Sequence, residues 1–179
     1  MIFNATGKCV VLLATYNGEK FLAEQLDSIY AQEYVCTLVV ARDDGSTDNT
    51  VKILERYEGS HGLILLRDTS VGGSAAKNFR HIVLAANVED AAVVFFSDQD
   101  DIWLPDKMYT ALKKVEEGAD LYSCSLIPFD LERGETRILK EKINPVRFDH
   151  LFQGLSAGCT YALSPRFFSI VKSTFLDPW

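Results

Sequence analysis

Short apolar runs alternate along the chain with segments whose apolar residues recur at helical spacing. The runs are residues 9–14 (CVVLLA), 38–41 (LVVA), 63–66 (LILL) and 92–96 (AVVFF), with further strand candidates at 121–125 and 159–163. A continuous apolar run is typical of a strand that is covered on both faces. The intervening periodicity predicts helices over 19–32, around 51–57, after 72–74 and from Pro105 onward. The alternation therefore predicts an α/β fold, with an open, mainly parallel sheet flanked by helices on both faces.

The length and charge of the chain restrict the classes of protein to which it can belong. At 179 residues it suits one domain, 1–179, and is too short for two ordinary ones. Its net charge of -7 predicts no nucleic-acid partner, and its four cysteines form no CxxC pair that would indicate zinc. No signal peptide is evident, and no apolar run reaches the roughly 18–20 residues of a membrane span. We therefore expect a cytoplasmic protein.

Three carboxylates lie within residues 97–101 (SDQDD), directly after the apolar run 92–96. In an extended segment alternate side chains point the same way, so Asp98 and Asp100 are expected to converge on one cation. Mg²⁺ or Mn²⁺ suits carboxylate ligands and commonly shares its coordination shell with substrate phosphates. The alternative is an acidic cluster that only stabilises the following helix through its dipole. The position favours metal and nucleotide binding, because ligands of such sheets bind outside the carboxyl ends of the strands.

The second strand is followed by residues 43–48 (DDGSTD), which allow two interpretations. The glycine permits a turn, and Ser46 or Thr47 is placed to cap the next helix. Asp43 and Asp44 exceed what capping needs, and a carboxylate there can accept a hydrogen bond from the imide N–H of uracil or thymine. A turn and a base-recognition site both remain open.

The first strand is followed by residues 15–18 (TYNG), which carry a similar ambiguity. Asn17 is a good helix cap at an ordinary strand-to-helix turn. The backbone N–H groups of the same turn are also placed to face a nucleotide. The segment alone does not decide between these roles.

Taken together, these segments resemble family-2 glycosyltransferases of the GT-A fold, which bind nucleotide sugars. The form SDQDDIW, with KNF upstream and GCT downstream, is similar to the rhamnosyltransferase branch, whose members build bacterial surface polysaccharides from dTDP-rhamnose. The resemblance covers nearly the whole chain. The matching segments are VVLLATYNGEKFLAEQLDSIYAQ at 10–32, ARDDGSTDNT at 41–50, GGSAAKNF at 72–79, SDQDDIWLPDK at 97–107 and GLSAGCTYALS at 154–164.

The resemblance implies a role for each matching residue. The metal, Mg²⁺ or Mn²⁺, would be held by Asp98 and Asp100, with Asp101 in support. Trp103 would either form the floor of the sugar site or pack in the core. Residues 158–160 would shape the acceptor side of the donor site. The residues implied in binding a dTDP- or UDP-sugar are Thr15, Asn17, Asp43, Asp44, Lys77 and Asp98.

The implied reaction is metal-dependent transfer of a sugar, with inversion, to a saccharide or lipid-linked acceptor. It is compatible with peripheral contact at the inner face of the membrane. The family pattern places the catalytic base in a His-Asp pair after the GCT segment, whereas Asp177 is the only acidic residue after Thr160. Either Asp177 is the base, or the domain is cut before the catalytic pair; the absence of the usual C-terminal helices favours the cut.

Two other classes compete with this interpretation. A non-catalytic nucleotide-sugar-binding module or fragment would account for the missing base. A nucleotidyltransferase shares the sheet and the acidic site, but it would carry a Gly-rich basic loop after the first strand. The sequence ATYNGEK at that position argues against it.

Overall fold

The fold is seen in a computed structural model that describes residues 7–68, 70–127, 129–130, 135–136 and 158–176. The helices of this part are α1 (Leu22–Tyr30), α2 (Thr50–His61), α3 (Ala75–Ala85), α4 (Lys107–Glu116) and α5 (Pro165–Thr174), with a 3₁₀ turn at Gly158–Thr160. Its strands are β1 (Lys8–Thr15), β2 (Cys36–Asp43), β3 (Ile64–Leu66), β4 (Val93–Ser97), β5 (Leu121–Ser123), β6 (Phe129–Asp130), β7 (Glu135–Thr136) and β8 (Tyr161–Leu163). None of these helices is both long enough and apolar enough to span a membrane.

A six-stranded sheet in the order β3-β2-β1-β4-β8-β5 organises the described residues. The four strands from β3 to β4 are parallel to their neighbours, whereas β8 runs antiparallel to both β4 and β5. The predicted α/β class is therefore confirmed, with a mixed edge on a mainly parallel sheet. The chain moves outward from β1 to β3 and then returns to place β4 on the other side of β1. This reversal makes the carboxyl ends of β1 and β4 the point where a ligand crevice is expected.

Both faces of the sheet are buried, which explains the continuous apolar runs. Along β1, Cys9, Val11 and Leu13 pack in one core cluster, while alternate residues pack in the other. The first cluster is closed by α1, α2 and α4, and the second by α3 and α5. Because a strand's side chains alternate between faces, a strand covered on both sides is apolar on both sets of alternate positions, and the buried polar residues Thr15, Arg42 and Ser97 lie at or near the carboxyl ends of β1, β2 and β4.

Several predicted boundaries of helices and strands are wrong, because short turns occupy the residues that were assigned to the ends of these elements. Helix α1 begins at Leu22 rather than at 19, because Gly18 O accepts hydrogen bonds from the N–H groups of Phe21 and Leu22 in a turn. Pro105 does not open α4, which begins at Lys107 after a turn. The strand expected at 121–125 ends at 123, and the one expected at 159–163 begins as a 3₁₀ turn.

Candidate functional site

A cavity of about 610 Å³ opens at the carboxyl ends of β1, β2 and β4, beside the N-terminus of α3. Its position matches the crevice expected where the strand order reverses. Its lining residues are Ala14, Thr15, Tyr16, Asp44, Val71, Gly73, Ser74, Ala75, Asn78, Asp98, Gln99 and Asp100. Four of the predicted site residues, Thr15, Asp44, Asp98 and Asp100, are thus brought to one cavity. Asn17, Asp43 and Lys77 do not line it.

Asp43 organises the turn after β2. Its Oδ1 accepts hydrogen bonds from Thr15 Oγ1 (3.0 Å) and Ser46 Oγ (2.5 Å), and its Oδ2 accepts from Gly45 N (3.0 Å) and Ser46 N (2.7 Å). Gly45 has φ +89°, which a residue with a side chain rarely adopts. The four lone-pair directions of the carboxylate are therefore occupied within the loops.

Asn17 joins the β1 loop to the β2 loop instead of capping α1. It has φ 47°, its N–H donates to Ser46 Oγ (2.7 Å), and its Oδ1 accepts from Thr47 N (2.9 Å). No side-chain cap bond is present at the start of α1 or of α2, so the expected caps at Asn17 and at Ser46 or Thr47 are wrong. These polar side chains are used between loops, where they fix the relative positions of the two strand ends.

Arg42 is the centre of a buried polar network that the sequence did not indicate. This last residue but one of β2 is only 1% exposed. Its guanidinium donates to Asp68 Oδ2 (2.7 Å) and Oδ1 (2.8 Å), to Asp44 Oδ1 (3.1 Å) and to Asn78 Oδ1 (2.9 Å), and also contacts Ser70. The hydrogen bonds from Arg42 lower the pKa of Asp68 against the opposing effect of burial.

Asp44 and Asn78 connect this network to the cavity. Burial acts to raise the pKa of Asp44, but hydrogen bonds from Gly72 N (2.5 Å), Arg42 and Gly73 N (2.8 Å) outweigh it and hold that pKa below its usual value. Asn78 Nδ2 donates to the carbonyl oxygens of Thr15 (3.1 Å) and Arg42 (3.3 Å). The strand ends, the Gly72–Gly73 turn and α3 are therefore held together by one set of hydrogen bonds.

The acidic run bends instead of continuing as an extended strand. The Gln99 amide pairs with the Tyr16 backbone, accepting from its N–H (2.8 Å) and donating to its C=O (2.9 Å). With the bend at Gln99 and Asp100, the ligand atoms found within 4.8 Å of one another belong to Asp98, Asp101 and Cys159. Because the segment bends, the argument from alternation in an extended strand does not apply to Asp98 and Asp100, although both residues line the first cavity. Asp100 is exposed and lies outside this group.

Asp98, Asp101 and Cys159 form a partly buried acidic cluster. Burial, followed by the charges of Asp101 and Asp100, raises the pKa of Asp98 above its usual value. Burial and the neighbouring Asp101 raise the pKa of the Cys159 thiol to about 12. One carboxylate oxygen, Asp101 Oδ2, is buried without a hydrogen-bond partner. An unpaired buried acceptor beside another carboxylate is what a cation would satisfy.

A second cavity, of about 500 Å³, lies on the other side of Asp100, which lines both. Trp103 and Lys107 form part of its wall, together with residues of α4 and the segment after β5. Lys107 Nζ lies 3.6 Å from the centroid of the Trp103 ring and donates to Cys159 O (2.8 Å). Trp103 is buried in the core cluster that contains Phe95, which confirms the packing role, and it also lines this cavity.

The remaining predicted residues lie at the margin of the described site. Lys77 is exposed on the first turn of α3. Thr160 is buried and contacts Ser123, with 3.1 Å between their hydroxyl oxygens. Asp177 lies outside the described residues.

The sequence prediction did not assign a role to Arg42, Asn78 or Gln99. The available signal for Arg42 was an arginine at the end of an otherwise apolar strand, followed by two acidic residues.

Solved structures with the same fold define the class of the domain as GT-A-like. Residues 1–349 of Staphylococcus aureus TarS in complex with UDP-GlcNAc align with a TM-score of 0.71 at 23% identity, over 93% of this chain and 47% of that one. The mannosyltransferase PcManGT from Pyrobaculum calidifontis, in complex with GDP-Man and Mn²⁺, aligns with a TM-score of 0.64 at 21% identity, over 91% and 46%. At these identities the likeness establishes the fold alone.

The chain belongs to glycosyl transferase family 2, because the sequence model of that family matches residues 10–175. It is 36% identical over 154 residues to the dTDP-rhamnosyl transferase RfbG of Shigella flexneri, with 84% of this chain and 53% of that protein covered. The chain thus spans about half the length of this curated relative. The predicted family and fold are confirmed.

Proposed function

We propose that the chain is a metal-dependent inverting glycosyltransferase that uses a nucleoside-diphosphate sugar. The observation that carries the proposal is the joint lining of one cavity by Thr15, Asp98 and Asp100, at the carboxyl ends of β1 and β4. The naming of RfbG as a dTDP-rhamnosyl transferase supports dTDP-rhamnose as the donor. The acceptor in this proposal is a saccharide or a lipid-linked saccharide of a bacterial surface polysaccharide.

The nucleoside is proposed to bind beside the β1 and β2 loops. Tyr16 and Val71 line the cavity and are 55% and 69% exposed, so they offer apolar surface to a flat base. Asp43 is proposed to read the base, which requires one of the four hydrogen bonds that its carboxylate accepts from Thr15, Gly45 and Ser46 to be exchanged for one from the base. Asn17 and Asp44 support the same wall, and Lys77 is proposed to extend from α3 toward the phosphates.

The acidic cluster fits a divalent metal by its donor set. Carboxylate oxygens suit Mg²⁺ or Mn²⁺, and Asp101 Oδ2 is buried without a hydrogen-bond partner beside Asp98, so a cation would supply the partner that this oxygen lacks. Asp98 and Asp100, which both line the first cavity, are the proposed ligands, and Asp101, which lies in the acidic cluster with Asp98, is proposed to support them. The bound metal would supply charge neutralisation to the leaving diphosphate.

The acceptor is proposed to enter the second cavity, which meets the first at Asp100. Attack by its hydroxyl on the anomeric carbon from the face opposite the diphosphate gives inversion, and a general base must take the hydroxyl proton. Asp177 is the proposed base.

The test of this proposal is release of nucleoside diphosphate from a donor panel with the chain and Mn²⁺. We expect release from dTDP-rhamnose in preference to UDP-glucose and UDP-GlcNAc, loss of release in Asp100→Ala, and no loss in Asp90→Asn. Asp90 is an exposed acidic residue away from both cavities, so it controls for the change in net charge. Release that persists at full rate in excess EDTA would contradict the proposed role of the metal, and a product of retained configuration by NMR would contradict inversion.

A further inference from the structure

We propose that Arg42 is a positioning residue that holds one wall of the nucleotide cavity without touching the nucleotide. This inference rests on the proposed function, because the cavity concerned is the one assigned to the donor. Arg42 does not line the cavity, but its hydrogen-bond partners Asp44 and Asn78 do.

The geometry of Arg42 divides its hydrogen bonds between two parts of the chain. On one side the guanidinium forks onto both carboxylate oxygens of Asp68 and contacts Ser70, in the segment between β3 and α3. On the other side it donates to Asp44 and Asn78 at the cavity. A single buried side chain therefore ties the end of β2 to the segment that leads into α3.

Asp44 carries the connection from Arg42 to the cavity wall. Its two oxygens accept hydrogen bonds from the N–H groups of Gly72 and Gly73, which lie between Val71 and Ser74, two residues of the cavity wall. A Cβ at Gly72 would lie 3.0 Å from Asp44 Oδ1 and 3.3 Å from Asn78 N, so the turn is packed tightly against both partners. Because these two N–H groups are already bonded to Asp44, the glycine turn acts as a wall and is not a free phosphate loop.

The contribution of the planar guanidinium of Arg42 can be separated from that of its positive charge by substitution. Lysine keeps the positive charge but has neither the planar fork nor five fixed donors, so it cannot satisfy Asp68, Asp44 and Asn78 together. If Arg42 acted only by neutralising nearby carboxylates, Arg42→Lys would behave as the wild type. A positioning role predicts that Arg42→Lys and Arg42→Gln are both defective.

The experiment compares Arg42→Lys, Arg42→Gln and Asp68→Asn with Tyr57→Phe. Asp68 has a side chain that is 42% exposed and lies outside the cavity lining, so Asp68→Asn loosens the fork even if the Arg42 variants fail to fold. Tyr57→Phe removes hydrogen bonds to Ala23 O and Asp27 Oδ1 on the opposite face of the sheet, which controls for loss of stability alone. Amide hydrogen exchange is measured at Gly72 and Gly73, and binding of dTDP and of UDP is measured by calorimetry with Mn²⁺.

We expect faster exchange at both glycines and an increase of about tenfold in the nucleotide dissociation constant in the Arg42 and Asp68 variants, with neither change in Tyr57→Phe. In turnover assays the donor KM should rise with kcat little changed. Unchanged exchange, or nucleotide affinity fully restored by Arg42→Lys, would overturn the positioning role. A wild-type chain that binds neither nucleotide would overturn the proposed function, whereas tight wild-type binding that all three variants retain would overturn this inference alone.

Discussion

Replacing Gly18 by alanine should disrupt the acidic run, although Gly18 is distant from it in sequence. A Cβ at Gly18 would overlap Oε1 and Cδ of Gln99. The Gln99 amide would have to leave the Tyr16 backbone, to which it makes hydrogen bonds of 2.8 and 2.9 Å. Two neutral hydrogen bonds at a partly exposed position contribute about 1–2 kcal/mol together. We expect Gly18→Ala to lower the free energy of unfolding by about that amount, less roughly 0.5 kcal/mol from the reduced chain entropy of the unfolded state.

A double-mutant cycle tests this steric explanation. Gln99→Ala removes the same two hydrogen bonds and also the atoms that the new methyl group at position 18 would strike. In the Gln99→Ala background the Gly18→Ala change should therefore be neutral or slightly stabilising, which gives a coupling free energy of about 1–2 kcal/mol. The assay is urea unfolding followed by circular dichroism for the four proteins of the cycle. Additive losses of stability would refute the reasoning, because they would mean that Gly18 and Gln99 do not interact.

Three further predictions follow from buried or capped groups. Because the folded-state pKa of Asp44 is lowered, its ionised carboxylate stabilises the fold above the unfolded pKa of about 3.9, and this stabilisation is lost as the pH falls through the lower folded value. Asp44→Asn should therefore lower the free energy of unfolding by about 3 kcal/mol at pH 7, measured by urea unfolding. On acidification the variant should lose less further stability than the wild type loses. Ser164 caps α5, accepting from Phe167 N (3.1 Å) and donating to Asp120 (2.9 Å), so Ser164→Ala should cost about 1–2 kcal/mol, measured in the same way; a loss no larger than that of an exposed serine would contradict the cap. Phe168 is fully buried against the sheet, so Phe168→Ala should cost about 3–5 kcal/mol, and a cost below about 1 kcal/mol would mean that α5 is not docked as described.

The sheet was predictable because its signal is local and redundant. Each central strand is buried on both faces, so the apolar runs locate β1, β2 and β4 without any knowledge of their neighbours. The helix starts were less predictable, since Asn17 and Ser46 have the residue types of caps but bond across loops instead. The hydrogen bonds that join the two loops connect residues about 30 positions apart, and periodicity carries no information on such pairs.

The candidate site was predictable in location but not in detail. Strand ends placed Thr15, Asp98 and Asp100 at one edge, and the structure brings them to one cavity. The bend at Gln99 depends on its hydrogen bonds to Tyr16, so the pairing of Asp98 with Asp101 could not be read from alternation. Arg42 was missed because an arginine near a strand end is ordinarily solvated, and its burial requires Asp68, Asp44 and Asn78 together.

Calorimetric titration of dTDP into the chain, with Mn²⁺ and with excess EDTA, tests the central claim most directly. The claim is that residues 97–101 bind a nucleotide sugar through a divalent metal. The predicted result is binding that requires Mn²⁺, is lost in Asp98→Asn and Asp100→Ala, and is retained in Asp90→Asn. Binding of equal affinity in EDTA, or in the Asp98 and Asp100 variants, would contradict the claim.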